Sequence, residues 1–244
     1  MRHPHHGHRG RMRQRLMTEG LDGFQPHEVL ELLLTYAIPQ RDVNALAHEL
    51  IRHFGSFAAV LEATPQALAQ VSGVGERTAS MLSMIPPLAR YYERSRYGAR
   101  PKLTNSREMG EYLKSLYFGE HSEVMYLLCL DAGGSLISVA EIARGTIDET
   151  PIYPRAIVEN ALRYKAHSVV LAHNHPAGTL NASGSDLSTT QAVVSALDPI
   201  GIRVIDHIIV AGDQFISLRG LNLLREQHQL FGIGDDPLAE NWLE

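Results

Sequence analysis

The sequence predicts an α + α/β chain, with an all-helical half followed by a half in which strands and helices alternate. Three observations carry this. From Glu28 to Tyr92 apolar residues recur at three- and four-residue spacing. The pattern then lapses over Ser95-Arg-Tyr-Gly-Ala-Arg-Pro-Lys102, a polar stretch broken by Gly98 and Pro101 that has the composition of a linker. Beyond it, short aliphatic runs alternate with turn residues and helix-period segments.

The elements follow in order. Val29-Leu30, Leu32 to Leu34, Ala45-Leu46 and Leu50-Ile51 mark helices, with turns at Ile38-Pro39 and Phe54-Gly55-Ser56. Pro65 to Gln70 and Glu76 to Ala89 are helical stretches on either side of a Gly turn. In the second half, Glu123 to Leu130 and Ser135 to Ala140 flank Asp131-Ala-Gly-Gly134, a hairpin signal. Pro154 to Lys165 reads as a helix, Ser168 to Ala172 as a buried strand, and Leu187 to Leu197 as a helix. Arg203 to Leu218 reads as two strands turning at Gly212-Asp213. The resulting division is a flexible basic His-rich arm over 1–20, a helical domain over 21–98, an α/β domain over 102–225, and an acidic tail over 232–244 with Trp242 as a docking anchor.

Composition limits the functions available. A chain of 244 residues with 44% hydrophobic content can build real cores. No apolar run reaches the roughly 20 residues of a membrane span, and the N-terminus lacks the apolar region of a signal peptide, so a cytoplasmic protein is expected. Cys129 is the only cysteine, which leaves His and carboxylates as metal ligands. The net charge of −5 argues against a generally basic surface, although Arg2, Arg9, Arg11, Arg13 and Arg15 cluster at the start. His3, His5, His6 and His8 share that arm; Pro4, Gly7 and Gly10 favour a solvated arm over a metal-binding tract there.

Two stretches carry chemistry. In Val71-Ser-Gly-Val-Gly-Glu-Arg-Thr-Ala79, Gly73 and Gly75 allow a tight turn that presents the amides opening the next helix, and Arg77 stands beside it. Free N–H groups and the positive dipole end suit a phosphate. The alternative is a helical hairpin that packs and binds nothing. The second stretch is Val169-Val-Leu-Ala-His-Asn-His-Pro-Ala-Gly, which runs on to Ser183-Gly-Ser-Asp186. Strand alternation puts His173 and His175 on one face, with Asn174 pointing away. Asp186, in the first turn of the following helix, is placed to return a carboxylate to them. Two imidazoles and one carboxylate leave a fourth position open, the pattern of a catalytic zinc site. Ser183-x-x-Asp186 is equally a capping box, and the two histidines alone also read as hydrogen-bonded loop residues.

Taken together, His173-x-His175 with Asp186 eleven residues after the second histidine resembles the JAMM motif of JAB/MPN metalloproteases. The longer form His-x-His-Pro-x-Gly through Ser183-x-x-Asp186 resembles the RadC family, associated with DNA repair. Further RadC-like pieces are Arg144-Gly-Thr146, Pro154-Arg155, Ala161-Leu-Arg163 and Asp206-His-Ile-Ile-Val210. The Gly-hydrophobic-Gly turn resembles a helix-hairpin-helix motif, with Leu50 to Leu61 as a degenerate first half of a tandem pair. The resemblance spans about Arg9 to Leu224; Ala177 stands where RadC proteins often have Ser, and Leu180 to Ala182 replace a loop that usually contains Pro.

The resemblance implies a JAB/MPN (cytidine-deaminase-like) domain with a mixed sheet after a helix-hairpin-helix domain. It implies one Zn²⁺ per chain on His173, His175 and Asp186, with Glu123 as catalytic acid–base, ahead of Glu120 and Glu141, and Ser183 as oxyanion donor. It also implies non-sequence-specific contact of Gly73, Gly75 and Arg77 with the DNA backbone. His207 either orients a ligand from behind or is a core histidine. Three functions stay open: a peptidase or isopeptidase acting on a peptide or protein substrate, a DNA-associated nuclease, and a non-catalytic DNA-binding scaffold with a retained metal site.

Overall fold

A computed structural model describes residues 5–39, 41–145 and 154–224. It divides into two compact units, Met1–Ala89 and Arg90–Glu244. Trp242 and the acidic tail lie outside the described residues, as does Thr146. Among the described residues no helix is long and apolar enough to cross a membrane.

The first unit is helical: α1 (His5–Glu19), α2 (Pro26–Ala37), α3 (Asn44–Phe54), α4 (Phe57–Glu62), α5 (Pro65–Ala69) and the start of α6 (Glu76–Ser95). Leu30, Leu34, Leu50, Leu68 and Leu82 meet in its core. Gly55 closes α3 in the left-handed conformation (φ 92°), and the Ser56 hydroxyl then accepts the Ala59 N–H to start α4. The expected flexible arm is corrected over 5–19. Met12 is buried in α1 with Phe24 and Leu32, Arg15 donates to Glu28 and lies over the Phe24 ring, and His8 meets Glu31. Packing and ion pairs supplied by residues up to 23 positions away, invisible to local pattern, hold a helix that Gly7 and Gly10 alone would not favour.

By contacts the division falls between Ala89 and Arg90, inside α6, so the polar segment read as a linker lies in the second unit. There the Tyr97 ring stands edge-on to Tyr112, with centroids 5.3 Å apart, and Lys102 bridges to Ser135.

The second unit contains α7 (Ser106–Tyr117), β1 (Val124–Leu130), β2 (Leu136–Arg144), α8 (Pro154–Arg163), β3 (Ser168–Asn174), α9 (Gly184–Leu197), β4 (Arg203–Ala211) and β5 (Gln214–Ser217). The sheet order is β2-β1-β3-β4-β5. Among the described strands only β3 and β4 run parallel, and the chain passes between them through α9. Alternation assigns the two faces. Leu128, Val170 and Ile208 pack against α7, while Leu127, Leu171 and Val204 pack against Ile157 of α8 and Val193 of α9. Covered on both sides, β3 is buried along its whole length. Each such Leu, Ile or Val contributes about 1.5–3 kcal/mol by leaving water.

Two details fix α7, a helix the pattern reading passed over. Gly110 lies so close to Phe215 that an added Cβ would sit 2.4 Å from its ring. The fully buried Asp206 carboxylate accepts from Ser106 Oγ at 2.8 Å, Ser217 Oγ at 2.6 Å, and the amides of His207 and Arg219. Burial raises that carboxyl's pKa despite these four donors.

Candidate metal centre

The centre forms where β3 ends. His173 is fully buried and His175 half-buried. The His175 amide still donates to Val210 at 2.8 Å, carrying the β4 pairing one residue past the strand. Pro176 then turns the chain, and Gly178, at φ 83°, donates its amide back to the His175 carbonyl.

The two Nε2 atoms face each other at 2.9 Å, and Asp186 Oδ1 lies 3.1 Å from His173 Nε2. Donor atoms of Glu123, His173 and His175 all lie within 4.8 Å of one another. Glu123 immediately precedes β1, and continuing the β1–β3 register places it opposite His175. Glu120 and Glu141 are engaged elsewhere: Glu120 meets Arg90 and Arg144, and Arg144 holds the Glu141 carboxyl below its ordinary range. Of the three glutamates considered, Glu123 is the one that joins the histidines.

Ser183 and Asp186 form the capping box, and the same carboxylate also reaches His173. Asp186 Oδ2 accepts from the Ser183 amide and hydroxyl, each at 2.7 Å, and the Asp186 amide donates to Ser183 Oγ at 3.1 Å. Oδ1 is left to face His173. The cap and ligand readings therefore use different oxygens of one group. Burial alone would raise the Asp186 carboxyl's pKa; the hydrogen bond and charge of His173, with the bonds from Ser183, outweigh it and hold the group well below the ordinary range. The Ser183 hydroxyl proton points at Asp186, so donating it to a substrate oxygen requires a rotation about its side chain.

Behind the site runs a chain the sequence suggested only in part. His173 Nδ1 is 2.8 Å from His207 Nε2, His207 Nδ1 is 2.6 Å from Thr190 Oγ1, and Thr190 Oγ1 donates to the Asp186 carbonyl at 2.6 Å. The directions follow from what each group can do. The carbonyl only accepts, which commits the single hydroxyl proton of Thr190; its oxygen then accepts from His207 Nδ1–H. Burial first, then the charge of His173, push the His207 pKa down to about 3, so this ring is neutral and its Nε2 accepts from His173 Nδ1–H. His175 Nδ1 donates to the Thr179 carbonyl at 2.7 Å. Once a metal ion replaces the proton that His173 Nε2 shares with Asp186 Oδ1, both ligand candidates can turn Nε2 lone pairs toward the same point, beside a carboxylate oxygen. Facing lone pairs repel unless a cation lies between them, and the N and O donors suit a divalent metal. Thr190, four residues after Asp186, was missed; its signal was a polar residue on the inward stripe of α9.

In the first unit, Gly73 adopts φ 93° between α5 and α6, and Val74 is buried beneath the turn. Gly75 and Arg77 are exposed, and nothing lies within 4 Å of a Cβ placed on Gly75.

A mixed sheet covered by helices on both faces, with His-x-His at the end of its central strand and an Asp returned by the next helix, defines a JAB-type domain. The RadC-like JAB domain family matches residues 103–223, and the UPF0758 N-terminal family matches residues 6–80. The chain is 36% identical to a UPF0758 protein of Rhodobacter capsulatus, over 87% of this chain and 100% of that one. It is 35% identical to one of Ruegeria pomeroyi over 87% and 95% of the two chains, and 31% identical to one of Fusobacterium nucleatum over 86% and 94%. The chain belongs to the UPF0758 family, whose second half is a RadC-like JAB domain. That membership is consistent with a metallohydrolase of JAMM type.

Proposed function

We propose that the chain is a zinc-dependent hydrolase of JAMM type that cleaves peptide or isopeptide bonds and works in DNA repair or DNA metabolism. The observation supporting it most directly is that His173 Nε2 and His175 Nε2 lie 2.9 Å apart, with Asp186 Oδ1 3.1 Å from the first and the Glu123 carboxylate within 4.8 Å of both imidazoles' donor atoms. His173, His175 and Asp186 would hold the metal. When bound, zinc supplies Lewis acidity toward a water and a carbonyl oxygen. Glu123 takes the proton of the attacking water and hands it to the departing nitrogen. Ser183, after rotation, donates to the oxygen on which negative charge develops; a donor in that role is worth about 2.7–4 kcal/mol of barrier. His207 and Thr190 keep the His173 tautomer fixed throughout.

The test is metal content and turnover of quenched peptides and isopeptides in two variants. Glu123→Gln is expected to keep zinc and lose turnover, and His173→Ala to lose both. Stoichiometric zinc in a chain lacking both histidines, or full turnover by Glu123→Gln, overturns the reading.

The DNA association rests on the first unit. The left-handed Gly73, the open space at Gly75 and the exposed Arg77 support a turn that approaches a phosphate backbone without reading bases. Binding of duplex DNA should weaken steeply with salt, and Arg77→Ala should reduce the slope of log affinity against log salt by about 1. Salt-independent or absent binding overturns it.

A further inference from the structure

We infer that Asn174, the residue between the two histidines, is the positioning residue for Glu123; the inference rests on the reading of Glu123 as proton carrier. Asn174 points away from the histidines, but it is 5% exposed and not idle. Its Oδ1 accepts the Val124 N–H at 2.8 Å, and its Nδ2 donates to the Ser122 carbonyl at 2.9 Å. These two peptide groups flank Glu123 on either side. One carboxamide therefore grips the backbone before and after the glutamate, and the same residue is covalently fixed between His173 and His175. The spacing between the proton carrier and the imidazoles is set through a single side chain.

The register explains why an amide is needed. β1 and β3 pair from Leu130 with Ser168 to Met125 with His173. Two and three further steps place Glu123 opposite His175 and Ser122 opposite Pro176, which has no N–H to offer. The β-pairing would end there with the Ser122 carbonyl unpaired. A carboxamide carries one acceptor and a donor, like the peptide group it replaces, and extends the pairing past the proline. The remaining groups are held as well: the Gly145 amide donates to the Glu123 carbonyl at 2.9 Å, and the Tyr117 hydroxyl to the Val124 carbonyl at 3.2 Å. Asn174 is the member of this set that comes from the metal-ligand strand.

The experiment uses the full zinc-loaded chain with Asn174→Ala and Asn174→Ser; serine is polar but too short to reach both peptide groups. Amide exchange is read residue by residue, together with zinc content and turnover of quenched fluorogenic peptides. Expected are at least tenfold faster exchange at Val124 with Leu127 to Leu130 unchanged, zinc retained, and kcat lowered about 10–100-fold at constant KM. In a Glu123→Gln background, Asn174→Ala should cause no further loss, because the glutamate it positions is already gone. Unchanged exchange at Val124, full turnover by both variants, loss of zinc in both, or an additive loss in the double variant each overturns the inference. A wild-type chain that cleaves none of the peptides overturns the hydrolase reading first and the positioning role with it; an active wild type with active Asn174 variants overturns the positioning role alone.

Discussion

Replacing Thr190 by Val tests the hydrogen-bond chain behind the site with almost no change of shape. Valine fills the same volume but cannot accept from His207 Nδ1, which lies 2.6 Å from the threonine oxygen in a fully buried ring. Two consequences follow. A buried N–H loses its acceptor, at a cost of about 1–3 kcal/mol, which for a unit of this size lowers its melting temperature by about 2–12 °C. His207 is also freed to take the other tautomer, with the proton on Nε2. That proton would face His173 Nδ1, force its proton to Nε2, and place N–H where a lone pair is needed. Losing such a supporting partner costs about 10–100-fold in metal affinity, or about 1.4–2.7 kcal/mol. Zinc affinity measured by competition with a chromophoric chelator should fall by that factor, while Thr190→Ser, which keeps the hydroxyl, stays near wild type. If Thr190→Val binds zinc within twofold of wild type, the assigned direction of the relay is wrong.

Gly110→Ala should destabilise the second unit in urea, because the new Cβ meets the Phe215 ring at 2.4 Å: about 1–3 kcal/mol of overpacking exceeds the about 0.5–1 kcal/mol gained from helix propensity, and the sign should reverse in a Phe215→Ala background. The zinc-free chain should lose stability in mild acid, since His207 is held at about 3 against an ordinary 6.5. Its folded pKa is depressed, so its contribution is complete above 6.5 and is lost as pH falls toward 3, at about 1.4 kcal/mol per pH unit. Urea midpoints between pH 7 and 4.5 check this, and His207→Asn should flatten the dependence. Burial pushes the Cys129 thiol up to about 11, so thiol reagents at pH 8 should label it only after unfolding.

The metal-ligand candidates were legible because a strand has a period of two: His173 and His175 must share a face wherever the strand forms. The role of Asp186 was not separable in sequence, since a cap and a ligand call for the same residue at the same place; only the split between Oδ1 and Oδ2 shows that both fit. The helix α7 was missed although it carries a local signal. Asn105 accepts the Glu108 amide, and Glu108 reaches back to the Thr104 amide, an Asn-x-x-Glu start that a capping-box search would find. Helix α1 and the packing of the 95–102 segment into the second unit had no such signal. They depend on Met12, Arg15 and Tyr97 finding partners remote in the chain, and no local period encodes that.

The inward stripe of α9 shows how the site and the core share one element. Ser183, Asp186, Thr190, Val193 and Leu197 follow at spacings of three and four, which places them on one face of the helix. From Asp186 onward all of them are buried. The stripe is polar for its first two turns, where it caps the helix, offers Oδ1 to His173 and accepts from His207; it is apolar afterward, where it packs under Leu127 and Leu171. The apolar end therefore fixes the depth and rotation of the polar end. A substitution such as Val193→Ala, far from any donor atom, leaves a void beneath α9 and lets Asp186 and Thr190 shift together, so ligand placement and tautomer control weaken as one.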